Sequence, residues 1–147
     1  MRTECPCGRP GTFGGVLPYD RCCGRYLDDA GAPAPDAVSL MRSRYTAYAT
    51  GRTDYLLATW DPATRPRELD PDPDLRWEGL KILDHLGAAP DAGGEPRAEV
   101  EFVARFRHSG GRSGGRSGGA GRPGEVRERS RFVRRAGRWF YLDGEVR

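Results

Sequence analysis

The four cysteines of this chain sit in two tight couples near its start, Cys5-Pro6-Cys7 and Cys22-Cys23, each followed by a glycine. Four soft ligands are the number that a closed tetrahedral zinc site requires, and no cysteine is left over. A disulfide within either couple is strained, because adjacent cysteines or a one-residue spacer reach bridge geometry poorly. Bonds between the couples, and free thiols, stand as alternatives, whereas redox motifs usually place two residues between their cysteines. The N-terminus is polar and Gly-rich from Met1 onward and lacks the apolar run of a secretory signal. The cytosol, where thiols stay reduced, is therefore the expected compartment. The expectation is a structural Zn2+ on Cys5, Cys7, Cys22 and Cys23, with no open position for a substrate or an activated water.

The remaining chain is long enough for one folded unit beyond this appendage: 147 residues, 37% of them hydrophobic. No stretch approaches the roughly 18 apolar residues of a membrane span. The net charge of +3 hints at nucleic acid, yet all basic residues but Lys81 are Arg, and Asn and Gln are absent, as a GC-rich genome would produce. Residues 105 to 138 hold 11 Arg against two Glu, so one end of the body is expected to be basic.

Residues 1–27 form the cysteine segment, too poor in apolar side chains to fold without a metal or a neighbour. Residues 28–35 read as a linker rich in Ala, Gly and Pro, and residues 36–147 as the main domain. Asp36 is placed to cap a helix in which Val38, Met41, Tyr45 and Tyr48 recur every three or four residues, until Gly51 ends it. A second helix is expected from Thr53, as cap, to about Trp60, before Pro62. Strands are expected over 77–86, 99–107, 125–134 and 138–142; in the second, Val100, Phe102, Ala104 and Phe106 alternate with charged or exposed positions. Ala136-Gly137 supplies a tight hairpin turn between the last two strands. The Arg/Gly stretch 109–124 reads as a long disordered loop and a passive insertion, since it carries only Arg112, Arg116 and Arg122 and no interleaved aromatic for RNA stacking. The fold class is α+β, with helices followed by an antiparallel meander.

Several of these segments resemble a known family. Cys5-Pro6-Cys7-Gly8 with Cys22-Cys23-Gly24 resembles the SEC-C zinc motif found at the C-terminus of the SecA translocase. Leu40-Met41-Arg42-Ser43-Arg44-Tyr45-Thr46-Ala47-Tyr48, Asp54-Tyr55-Leu56-Leu57-Ala58-Thr59-Trp60, Pro62-Ala63-Thr64-Arg65-Pro66, Glu128-Arg129-Ser130-Arg131-Phe132 and Gly137-Arg138-Trp139-Phe140-Tyr141-Leu142-Asp143-Gly144 resemble the uncharacterised bacterial YchJ-like family. The resemblance spans nearly the whole chain. It implies a zinc knuckle followed by a domain similar to nuclear transport factor 2 (NTF2) or cystatin, in which two or more helices pack on a curved four-stranded antiparallel sheet and leave a cone-shaped pocket. This chain departs from the pattern in three ways: the 14 residues between Cys7 and Cys22 are a longer gap than usual, Asp61 stands where the family's His is expected, and the Arg/Gly loop is extra.

Strand parity turns Glu128 and Ser130 inward with Val126 and Phe132. One reading is a polar pocket lined by Tyr45, Tyr48, Trp60, Glu128, Ser130 and Tyr141, for a small ligand or for acid/base chemistry with Glu128 as proton acceptor and Tyr45 or Arg44 orienting the substrate. The simpler reading is a Glu128 to Arg44 ion pair locking helix to sheet, with Arg129 or Arg131 as other partners and the aromatics as core. No catalytic residue is assigned, and the balance leans away from an enzyme. His85 and His108 read as isolated surface residues, Tyr26 as packing the cysteine segment onto the body, and Arg9, Arg21 and Arg25 as offsetting the thiolate charge or, equally, meeting an acidic partner. The leading expectation is a small zinc-binding contact module for a protein or ribonucleoprotein; a small-molecule or enzymatic pocket around Glu128 is the alternative, and nucleic-acid binding through the basic strand rests on charge alone.

Overall fold

Helix formation begins where the sequence places its first cap. In the computed structural model, which describes residues 3–29, 32–88, 95–109 and 121–147, the Asp36 carboxylate accepts the Ser39 amide at 2.7 Å, and Gly51 closes the helix with φ 78°. This helix, α2 (Ala37–Thr50), is preceded by a 3-10 turn (Tyr19–Arg21) and a single helical turn, α1 (Gly24–Leu27). The next helix, α3 (Thr53–Ala58), is shorter than its sequence suggests and is not capped by Thr53. Arg52 occupies the cap position and spends its guanidinium on Asp28, Asp54 and the Leu27 carbonyl, so Thr53 lies inside the helix. Beyond Ala58 the chain straightens, and Thr59 and Asp61 exchange backbone hydrogen bonds of 2.8 Å with Tyr141.

Four antiparallel strands follow in meander order: β1 (Leu75–Ala88), β2 (Arg97–His108), β3 (Arg122–Arg135) and β4 (Arg138–Val146). All four run longer than the alternating patterns suggest, because backbone pairing continues past the last apolar residue. Arg122, Pro123 and Gly124 pair with His108, Arg107 and Phe106, so the end of the expected 109–124 loop is strand; its residues 110–120 lie outside the described residues. At the β3–β4 hairpin Ala136 and Gly137 both take positive φ, 49° and 79°, the backbone that a two-residue turn requires.

Alternate residues of β2 and β3 put Ala98, Val100, Phe102, Ala104, Ser130 and Phe132 against the helices. The opposite face carries an ion-pair ladder: Arg127 with Glu101 at 2.7 Å, Arg129 with Glu101 and Asp84 at 3.1 and 2.9 Å, and Arg131 with Asp143 at 2.6 Å. Arg107 and Arg135 are also paired, with Glu78 and with Glu95 and Asp61. Five of the 11 arginines that make residues 105–138 look basic are thus matched by acids, Arg107, Arg127, Arg129, Arg131 and Arg135. Among the described residues, no helix is long and apolar enough to cross a membrane.

Asp61 is fully buried and accepts Arg135 Nη1 at 2.7 and 2.8 Å and the Ala63 amide at 3.0 Å. It ties the segment after α3 to the β3–β4 hairpin across the sheet end. Replacing it with Ala is expected to lower the unfolding free energy by about 2–3 kcal/mol, against less than about 1 kcal/mol for Asp143→Ala in a half-exposed pair. Urea denaturation of the two variants measures the difference, and equal losses would mean that burial of Asp61 is unimportant.

Candidate metal centre and cavity

The long gap between the cysteine couples is used to bring the chain back on itself. Antiparallel bridges join Glu4 to Pro18 and Pro10 to Val16, the Cys5 amide donates to Leu17 O at 2.9 Å, and the 3-10 turn then delivers Cys22 and Cys23 beside Cys5 and Cys7. The four Sγ atoms lie within 4.8 Å of one another, and all four residues are at most 3% exposed. None is disulfide-bonded: Cys7 and Cys22 Sγ stand 3.5 Å apart and Cys22 and Cys23 Sγ 4.0 Å, far from the bond length of about 2.05 Å. Thiolates at about 2.3 Å around one tetrahedral ion have edges of about 3.8 Å, so the donor set fits a single metal ion.

Crowding prevents these thiols from titrating independently. The hydrogen bond with Cys22 holds Cys7 down to about 7, and the hydrogen bond with Cys22 pushes the Cys23 thiol up. Among the described residues Arg42 on α2 reaches the cluster: its Nη1 donates to Cys7 O at 2.9 Å and lies 3.8 Å from Cys7 Sγ. Of the arginines expected beside the sulfurs, Arg9 instead binds Ser39 Oγ at 3.3 Å and Arg25 binds the Cys22 carbonyl at 3.1 Å. Tyr26 is buried, as expected of a residue packing this segment against the body. Thr46 of α2 contacts Cys5 Sγ at 3.7 Å.

On the other side of α2 lies a cavity of about 260 Å³, lined by Met41, Arg44, Tyr45, Tyr48, Trp77, Phe102, Ala104, Val126, Glu128, Ser130 and Tyr141. Parity places Glu128 and Ser130 as expected, and five of the six residues nominated for the lining are there; Trp60 is replaced by Trp77, because Trp60 packs edge-on behind Tyr141 at 5.0 Å. Tyr45 contributes its ring, edge-on to Trp77 at 6.1 Å, and burial pushes its phenol up to about 12.

The Glu128 to Arg44 ion pair does not form. Arg44, 3% exposed, donates Nη1 to Leu56 O and Thr59 Oγ1, both at 2.8 Å, and its guanidinium lies 4.5 Å from the Tyr141 ring and 5.0 Å from the Trp60 ring. Desolvation lowers its pKa, partly offset by the neighbouring phenols and Glu128. Glu128 Oε2 accepts Ser130 Oγ at 2.8 Å and Tyr141 OH at 3.2 Å, and burial followed by the Glu128 charge pushes the Tyr141 phenol well up. Arg129 and Arg131 point to the other face of the sheet. Gly144, opposite Ser130 on β4, leaves room for this position of Glu128: a Cβ there would displace its carboxylate. Spacing alone did not reveal Gly144, Arg42 or Asp61, whose partners are remote in sequence.

His85 is exposed on β1, as its isolation suggests. His108 is not isolated: its Nε2 lies 2.7 Å from Asp72 Oδ2, with Asp74 close by, at the end of β2.

Comparison with known proteins agrees with this geometry. Residues 36–144 match the family described as "YchJ, middle NTF2-like domain". The chain is 51% identical over 144 residues to a UPF0225 protein of a Polaromonas species, covering 97% of this chain and 93% of the relative, and 52% identical over 143 residues to one of Methylibium petroleiphilum, covering 97% and 88%. Among solved structures it is similar to a SEC-C motif containing protein from Rhodopseudomonas palustris (TM-score 0.72, 32% identity, 97% of this chain and 98% of that one). A SEC-C motif containing protein from Psychrobacter arcticus is also similar (TM-score 0.69, 27% identity, 98% and 82%). The chain, with its cysteine cluster, its α+β fold and its four-stranded antiparallel sheet, belongs to the YchJ-like family of uncharacterised UPF0225 proteins.

Proposed function

We propose that this protein binds a small organic ligand between α2 and the sheet, and that a structural Zn2+ on Cys5, Cys7, Cys22 and Cys23 shapes the N-terminal segment (residues 1–27) that packs on the same helix. The ligand reading is carried by Glu128, a carboxylate kept inside an aromatic-walled cavity while Gly144 leaves it the room to be there. Ser130 and Tyr141 both donate to it, which favours a fixed acceptor over a mobile proton carrier. Arg44 is likewise held by Leu56 and Thr59. Binding is therefore preferred to catalysis by Glu128, Tyr45 or Arg44. Zinc, as a closed tetrathiolate, would add folding energy and no reactive position. Reduced, buried thiols suit a cytosolic setting.

A second reading, in which the cysteine segment is a contact module for a protein or ribonucleoprotein, is favoured by Phe13. This side chain is 99% exposed at the tip of the hairpin between the cysteine couples, and an aromatic held in water on a metal-braced turn is an anchor for a partner's apolar pocket.

Three outcomes test these readings. Protein purified without tags should carry about one equivalent of zinc, and the Cys22→Ser, Cys23→Ser variant should carry almost none; metal analysis showing under about half an equivalent, with oxidised thiols, defeats the zinc assignment. Ala104→Leu fills the cavity from β2, so any small metabolite that raises the melting temperature of the parent should bind the variant at least about tenfold more weakly. An unchanged response would put the ligand elsewhere. Phe13→Ala should weaken a captured partner by about tenfold or more without altering the melting temperature, and equal recovery by both proteins removes the contact-module reading.

A further inference from the structure

The cavity holds one cation and one anion that do not meet. Among its lining residues Arg44 is the only guanidinium and Glu128 the only carboxylate. Arg44 satisfies Nη1 with a carbonyl and a hydroxyl, and among the described residues no carboxylate forms an ion pair with it, although it is 3% exposed. An arginine does not escape burial by losing its proton, so its remaining N–H donors call for an anionic or strongly accepting group. Glu128 has its Oε2 occupied by Ser130 and Tyr141 and accepts further donors at Oε1.

Tyr141 keeps the two charges apart. Its ring face lies under the Arg44 guanidinium at 4.5 Å while its hydroxyl donates to Glu128 at 3.2 Å. Opposite charges thus stand at the face and the tip of one phenol. A ligand with a single positive charge would satisfy Glu128 and face Arg44 with its own sign, a single negative charge would do the reverse, and a neutral apolar molecule would leave both groups unpaired. Tyr45, Trp77 and Phe102 supply apolar wall, and Tyr48, 38% exposed, stands at the mouth. At about 260 Å³ the space falls below the roughly 300 Å³ where sites for drug-sized molecules begin.

The geometry points to a small zwitterion as the ligand: an ammonium on Glu128, a carboxylate on Arg44 and an apolar body against Tyr45, Trp77 and Phe102, which is the chemistry of a free hydrophobic amino acid. This rests on the ligand reading above and makes it specific. Calorimetric titration of the full chain with L-phenylalanine and L-leucine tests it, alongside 2-phenylethylamine, 3-phenylpropanoate and neutral indole. At least one amino acid should bind, and the amine and the acid should each bind about tenfold or more weakly than L-phenylalanine or L-leucine, the loss of one charge-assisted hydrogen-bond set. Glu128→Gln should reduce amino-acid binding by a similar factor while leaving 3-phenylpropanoate no weaker. The comparison among ligands on the unaltered protein does not depend on any variant folding. Binding of indole, the amine or the acid as tightly as the amino acids would overturn the zwitterion and leave the cavity a ligand site. Binding of no probe at all would overturn both.

Discussion

Helix α2 is buried on two opposite sides, and both sites depend on that. Residues two apart on a helix project about 200° from each other, so Arg42 and Arg44 leave the same helix in opposite directions. Arg42 turns to the backbone and sulfur of Cys7, while Arg44 turns to the aromatic cavity. Leu40 and Tyr45 are nearly inaccessible, and full burial of each such side chain is worth about 1.5–3 kcal/mol. A helix that must satisfy thiols on one side and a sheet on the other cannot rotate to improve either contact without spoiling the second. The cysteine segment is therefore part of what fixes the orientation of α2, and buried Cys5, Cys7, Cys22 and Cys23 belong to the same continuous core as Phe102 and Phe132.

The sheet handles charge in a way that the composition conceals. A net charge of +3 with a run of arginines looks like a polyanion-binding surface. Several of these arginines are paired within the sheet: Glu101 stands opposite Arg129 and Asp143 opposite Arg131, and the Arg129 guanidinium also reaches Asp84 on β1. The half-exposed Arg131–Asp143 pair adds little stability by itself, whereas Glu101 and Arg129 are largely shielded from water. The arrangement of these pairs disfavours register slips that would bring like charges together.

Features set by local spacing were legible in the chain. The Asp36 cap, the Gly51 stop, the alternation of β2, the Ala136-Gly137 turn and the inward face of Glu128 all follow from periods of 3.6 and 2 and from turn chemistry. What escaped depends on reach across the fold. The side chain of Arg44 extends to the last turn of α3, where free carbonyl and hydroxyl oxygens await it, so it never meets Glu128. Asp61 departs from the family's expected His, and its buried position makes sense only with Arg135, 74 residues away. The cysteines were readable because their chemistry is countable. Arg42 was not, since no count distinguishes it from Arg9, Arg21 or Arg25.

The cavity itself is written into side-chain size. At the closed end of the core Leu40, Leu56, Val100 and Phe132 are fully buried and fill the space between helices and sheet. Toward the open end the sheet offers Ala104 on β2, Ser130 on β3 and Gly144 on β4, three small residues where larger apolar ones would close the gap and add packing energy. A core selected for stability alone would fill that volume and would not put a carboxylate in it. The β-bulge between Arg131 and Phe132 is what lets both features coexist, because it shifts β4 by one residue so that Tyr141 faces the helices while Gly144 passes beneath Glu128. Volume is surrendered at the same place where charge is introduced, the combination on which the proposed ligand site rests.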